Sequence, residues 1–160
     1  MTVTATSRDA DARTLTVTAE FDAPVDRVWN LWADPRLLEQ WWGPPTWPAT
    51  FTEHDLRPGG GSRYVMHGPE GGTSSGWWRT VSVDPPHRFE FENGFADATG
   101  EPDPSMPAMI IRLAIVARGG GGTRMTVVIA FASTADMEQV LTMGMAEGMT
   151  AAMNQMDALL

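Results

Sequence analysis

Residues 21–45 read "FDAPVDRVWNLWADPRLLEQWWGPP", and they hold two short helices back to back. Val25, Val28, Trp29 and Trp32 recur at the i, i+3, i+4, i+7 spacing that gives a helix one apolar face. Asp22 is expected to cap this helix, with Pro24 in its first turn, where a missing N–H costs nothing. Asp34 and Pro35 then form a second N-cap and N1 pair, so a new helix is expected through Leu37, Leu38 and Trp41. Gly43 stops it, and Pro44 and Pro45 prevent a restart. Trp32, Trp41, Trp42 and Trp47 crowd this region. Aromatic surface at that density must be covered, either in a packed core or around a cavity.

Upstream, "TLTVTAEF" at 14–21 alternates Leu15, Val17, Ala19 and Phe21 with polar residues, the pattern of a half-buried strand. Residues 1–12 show no such pattern and lack the basic and apolar regions of a signal peptide, so a flexible tail is expected there. From residue 49 the period changes from 3.6 to 2. "ATFTEHDL", "SRYVMH", "TSSGWWRTVSV", "FEFEN", "MIIRLAIVAR" and "RMTVVIAF" follow one another across turns rich in Gly and Pro, which predicts consecutive antiparallel strands. The 96–108 loop has no periodicity and reads as a lid or a disordered insertion. At the end, Ser133 and Asp136 resemble a capping box, and Met137, Leu141, Met145, Gly148, Ala152, Met156 and Leu159 trace one apolar stripe. One helix of about 24 residues, roughly 36 Å long, is expected.

The order is therefore strand, two short helices, six strands and a long helix. That order predicts an α+β helix-grip fold in one domain over 13–160, with a seven-stranded antiparallel sheet curved around the last helix. A twisted sheet cannot lie flush along a straight rod, so a hollow is expected between them.

Composition removes several function classes. The chain has 160 residues, no cysteine and a net charge of −9, and all its basic residues are arginine. Disulfides, thiolate catalysis and lysine Schiff bases are thus excluded, and nucleic acid or an anionic membrane is a poor partner for so acidic a chain. No apolar run is long enough to insert in a bilayer. His54, His67 and His87 show no metal-ligand spacing, so neither a metal nor a cofactor is expected. The glycine runs join strands to strands and are not phosphate loops. A cytoplasmic location is the simplest expectation.

Taken together, "FDAPVDRVWNLWADPRLLEQWWGPP", "DLRPGG", "YVMHGPEGG", "GWWRTVSVDPPHRFEF", "GGTRMTVVIAF" and "MGMAEGMTAAMNQMDALL" resemble the bacterial homologues of the heat-shock-protein-90 ATPase activator, of the START-like (SRPBCC) superfamily. The resemblance covers about residues 13–160. It implies a helix-grip fold and a cavity for apolar ligands, and it fixes neither ligand nor reaction. Met149 stands where that family usually has tryptophan. Co-chaperone activity is not carried over, since the eukaryotic activator has a further amino-terminal domain that these residues do not include.

The expected ligand-facing set is Trp32 and Trp41 at the cavity mouth, Met145, Met149 and Met153 on the last helix, and Tyr64, Met66, Trp78, Phe89, Phe91, Met109 and Ile111 from the strands. Six of the eleven methionines lie in the final segment, and their unbranched, polarizable side chains suit either gap filling or a pliable wall. Trp77 and Trp78 must face opposite ways; Val81 and Val83 share the phase of Trp77, while the resemblance favours Trp78 for the interior. Stacking on proline is the plainer account of Trp42 and Trp47. Asp55 is expected to organise its turn by accepting backbone N–H bonds near Gly59 and Gly60. Arg112, interrupting "MIIRLAIV", fits the outer face. No nucleophile–base–orienter set is visible. The expected function is carriage or sensing of a small apolar molecule. Alternatives are a cyclase-, dehydratase- or hydrolase-type enzyme using the same cavity, or a module that binds a chaperone or regulator. A second copy of the chain remains open as a partner.

Overall fold

The computed structural model describes residues 2–160 and has the α+β helix-grip architecture. Its strands are β1 (Val3–Asp9), β2 (Thr14–Phe21), β3 (Ala49–His54), β4 (Gly61–His67), β5 (Thr73–Asp84), β6 (Arg88–Phe95), β7 (Met109–Arg118) and β8 (Gly122–Phe131). They form one antiparallel sheet in the order β1-β2-β8-β7-β6-β5-β4-β3. Strands β3 to β8 are a plain meander, because each Gly- or Pro-rich turn returns the chain beside the strand it has just left. The link from β2 to β3 contains α1 (Val25–Ala33) and α2 (Pro35–Leu38), which pack against β7 and β8 and against β3 respectively, so one face of the sheet is covered.

Period-two alternation builds that face. Leu15, Val17, Ala19 and Phe21 of β2, Ile111, Leu113 and Ile115 of β7, and Met125, Val127 and Ile129 of β8 are all buried. The opposite phase carries charge, and Arg112 bonds Glu90 at 2.8 Å there while Arg79 reaches Glu92 at 3.3 Å. Arg112 interrupts an apolar run only because every second residue of β7 faces outward. Exposed pairs of this kind contribute little to stability, about 0–1 kcal/mol each.

Several expectations are corrected. The sheet has eight strands among the described residues, not seven, because residues 3–9 pair with β2 instead of forming a tail. Only Val3 of β1 is buried, so the strand carries no alternating apolar signal and is held by backbone pairing. Its start is tied to the C-terminal segment, where Val3 donates to Asn154 at 3.0 Å and the Thr2 hydroxyl bonds Asp157. Asp22 does not cap α1; Pro24 occupies the N-cap without a side-chain bond. Asp34 does cap α2, accepting from the Arg36 N–H, but that helix ends at Leu38 and continues as turns. The Asp55 carboxylate binds the Arg57 N–H and guanidinium, which lower its pKa to about 2, and does not bind glycine amides.

The long helix is also broken. α3 runs over Thr134–Thr142, with Ser133 capping it through the Asp136 N–H. α4 runs over Met145–Met153, and a 3-10 turn follows at Met156–Leu159. Gly144 lies between the helices with φ 88°, a left-handed conformation that glycine adopts without a Cβ penalty and that ends a helix. The 96–108 loop is ordered by local bonds: Asp97 accepts from Thr99 and Glu101, and Arg63 reaches both Gly100 and Glu101. No helix among the described residues is long and apolar enough to cross a membrane.

Candidate functional site

Between the sheet and the broken helix lies an open hollow of about 250 Å³. Met66 of β4, Asn93 and Phe95 of β6 and Met109 of β7 form its sheet side. Met143, Gly144, Met145, Gly148 and Met149 form its helix side, and Trp42 and Pro44 close it from the loop after α2. A Cβ placed on Gly148 would meet nothing within 4 Å, so the helix leaves space where a side chain would otherwise stand. The wall is apolar and rich in thioethers.

Tyr64 and Asn93 are the polar exception. Tyr64 opposes Gly76 across the β4–β5 ladder, and a Cβ on Gly76 would lie 2.2 Å from the phenol oxygen. Glycine there lets the ring lie flat over the neighbouring strand. The Asn93 amide nitrogen is 3.2 Å from the phenol oxygen and 3.2 Å from the Trp77 carbonyl. A carbonyl can only accept, so this contact fixes the amide with its nitrogen toward both oxygens. Burial raises the Tyr64 pKa, opposed by its hydrogen bond with Asn93 and by the nearby Trp42 indole. That indole N–H is outside hydrogen-bonding geometry and has no partner among the described residues.

Of the residues expected to face a ligand, Tyr64, Met66, Met109, Met145 and Met149 line this hollow. The others do not. Trp32, Trp41 and Trp78 are buried in one aromatic cluster with Phe89 and Phe91, in which Trp78 stacks on Phe91 at 4.1 Å and Trp32 meets Trp41 edge-on at 4.6 Å. Ile111 and Met153 are packed in the core. All seven of these side chains are buried in the interior. Trp42 belongs to both regions: it meets Trp78 at 4.8 Å and also lines the hollow. Trp47 instead lies over Gly68, where an added Cβ would sit 2.6 Å from its ring.

Trp78 faces inward and Trp77 outward, its indole donating to the Phe95 carbonyl at 3.0 Å. The conflicting phase of the valines comes from a β-bulge between Thr80 and Ser82. The bulge turns Val83 back toward the core and leaves Val81 exposed. Asn93 was legible by parity, since it follows Phe89 and Phe91 at two-residue steps on β6. Met143 and Gly144 escaped helical periodicity because they form the break.

His54 has a structural role. Its ring nitrogens lie 2.8 Å from the Ser62 hydroxyl and 2.8 Å from the Trp32 carbonyl. The carbonyl requires Nε2 to donate, so Nδ1 accepts from Ser62. Burial is the main cause of a lowered His54 pKa, and the Trp32 bond opposes it. The residue pins β3 to the end of α1, away from the hollow. Among the described residues no three His, Cys, Asp or Glu side chains gather as a metal site.

The family model described as Activator of Hsp90 ATPase homolog 1-like protein matches residues 22–160. The crystal structure of protein Ms6760 from Mycobacterium smegmatis is 49% identical, with 99% of this chain and 96% of that chain covered and a TM-score of 0.91. A solution structure of a protein from Arthrobacter aurescens is 42% identical, covering 99% of this chain and 91% of that one, with a TM-score of 0.95. The AHSA1 protein of Silicibacter pomeroyi shares the fold at 22% identity and a TM-score of 0.73, with 91% of this chain and 95% of that chain covered. No match was found among curated proteins. The matched segment runs from the end of β2 through both C-terminal helices, and the chain therefore belongs to the Activator of Hsp90 ATPase homolog 1-like family of START-like proteins.

Proposed function

We propose that the protein is a carrier or sensor that binds a small apolar molecule between its sheet and its broken C-terminal helix. The observation that carries this reading is the hollow of about 250 Å³ walled by five methionines, Met66, Met109, Met143, Met145 and Met149. An apolar cavity of about 150 Å³ already accepts a benzene-sized guest, and flexible thioethers adapt to varied shapes. The enzyme reading is less well supported. Among the described residues Tyr64 is the only ionisable one lining the hollow, and burial moves its pKa away from the range of a general base.

The test is binding of a fluorescent naphthalene dye, with circular dichroism as the folding control. Met149→Trp places a bulky ring in the space that the dye would occupy, and should weaken binding at least tenfold at a stability change within about 2 kcal/mol. Unchanged dye affinity in a folded Met149→Trp protein would place the binding site elsewhere and refute the proposal.

A further inference from the structure

We infer that the ligand ends in a neutral hydroxyl group, which Tyr64 and Asn93 hold together at the sheet side of the hollow. The inference rests on the binding function proposed above and adds a ligand class to it. Tyr64 is only 8% exposed, and its oxygen accepts from the Asn93 amide nitrogen. The phenol proton bonds no acceptor among the described residues. Asn93 uses its nitrogen on Tyr64 and on the Trp77 carbonyl, and no donor among the described residues reaches its carbonyl oxygen. One wall of an otherwise apolar hollow thus presents a donor and an acceptor beside the same amide, and these two do not bond each other.

A ligand hydroxyl matches both, because one oxygen can accept from Tyr64 and donate to Asn93. A ketone or ether would answer only the donor. A carboxylate would bring a charge into a hollow that has no arginine and no histidine among its described lining residues, and burying an unpaired charge is strongly unfavourable. An unmatched hydroxyl would also be penalised relative to a plain hydrocarbon, so a gain from adding one reports a matched partner.

The experiment measures dissociation constants of naphthalene, 2-naphthol and 2-naphthoate at neutral pH, for wild type and Tyr64→Phe, by displacement of the dye. Tyr64→Phe keeps the ring over Gly76 and removes only the hydroxyl, and circular dichroism checks its fold. In wild type, 2-naphthol should bind about three- to tenfold more tightly than naphthalene, and 2-naphthoate more weakly than either. In Tyr64→Phe the naphthol advantage over naphthalene should vanish, the comparison between the two compounds cancelling any change in the wall that they share. If naphthalene and naphthol bind wild type equally, or the naphthol advantage survives in Tyr64→Phe, the hydroxyl inference fails while the binding function stands. Tighter binding of 2-naphthoate overturns the neutral ligand class. If the dye binds and none of the three displaces it, the hydroxyl inference fails; if the dye itself does not bind wild type, the binding function fails.

Discussion

Replacing Trp32 with alanine distinguishes packed aromatic core from cavity wall, because the two carry costs of different size. The indole is fully buried and its N–H lies 3.3 Å from the Met125 sulfur. Its ring centroid is 4.6 Å from Trp41, 6.2 Å from Trp42, and 6.3 Å from both Trp78 and Phe91. A buried indole keeps roughly 150–250 Å² from water, worth about 4–6 kcal/mol at 25 cal/mol per Å². Core tryptophan-to-alanine changes cost about 3–5 kcal/mol, so a loss near 4 kcal/mol is expected. Met149 is only partly buried beside the hollow, and Met149→Ala should cost about 1 kcal/mol or less, well below the fully buried case. Urea unfolding followed by far-ultraviolet circular dichroism measures both. With a slope of about 2 kcal/mol per M, the midpoint should fall by about 2 M for Trp32→Ala and by about 0.5 M or less for Met149→Ala. Trp32→Phe, expected at about half the alanine cost, serves if the alanine variant is too unstable to measure. Equal costs for the Trp32 and Met149 alanine variants would refute the assignment of the aromatic cluster to packed core.

His54 makes stability depend on pH: its folded pKa lies below its ordinary 6.5, so its contribution is full above that value and is lost as pH falls from there through the folded pKa. Urea midpoints measured from about pH 8 to pH 5 should decline in wild type and decline less in His54→Gln. Gly144→Ala should lower stability by about 1 kcal/mol for conformational reasons alone, since nothing lies within 4 Å of the added Cβ; thermal melting checks this, with Gly144→Asn expected to be milder. Gly76→Ala places a Cβ 2.3 Å from the Tyr64 ring carbon that bears the hydroxyl, and should cost about 1–3 kcal/mol. That cost should largely disappear in a Tyr64→Ala background, which a double-mutant cycle of urea midpoints measures.

What the sequence made legible follows from how each element is held. Strands β2 to β8 and α1 bury one face against the core, so their apolar periods are written in the chain. β1 escaped because seven residues of which only Val3 is buried carry no such period. The helix break escaped because Gly144 sits among good helix formers, and its left-handed turn shows only in φ. Of the residues expected to face a ligand, Tyr64, Met66, Met109, Met145 and Met149 border the hollow, whereas Trp32, Trp41 and Trp78 share that apolar signature but are packed in one aromatic cluster. An inward-facing aromatic says that it is covered. Whether its cover is another side chain or a ligand depends on tertiary packing that no local pattern encodes.

The broken helix has a thermodynamic consequence. α3 and α4 are nine residues each, and isolated helices shorter than about 12–15 residues are marginal in water. Each therefore depends on what it lies against, and where Met143, Gly144, Met145, Gly148 and Met149 border the hollow, part of that support is missing. A guest seated in the hollow would supply the missing contacts, and occupancy and helix order would then be linked quantities. The amides of α3 and α4 should exchange with deuterium more slowly in the filled protein than in the empty one, and its measured affinity includes the free energy of quieting this wall.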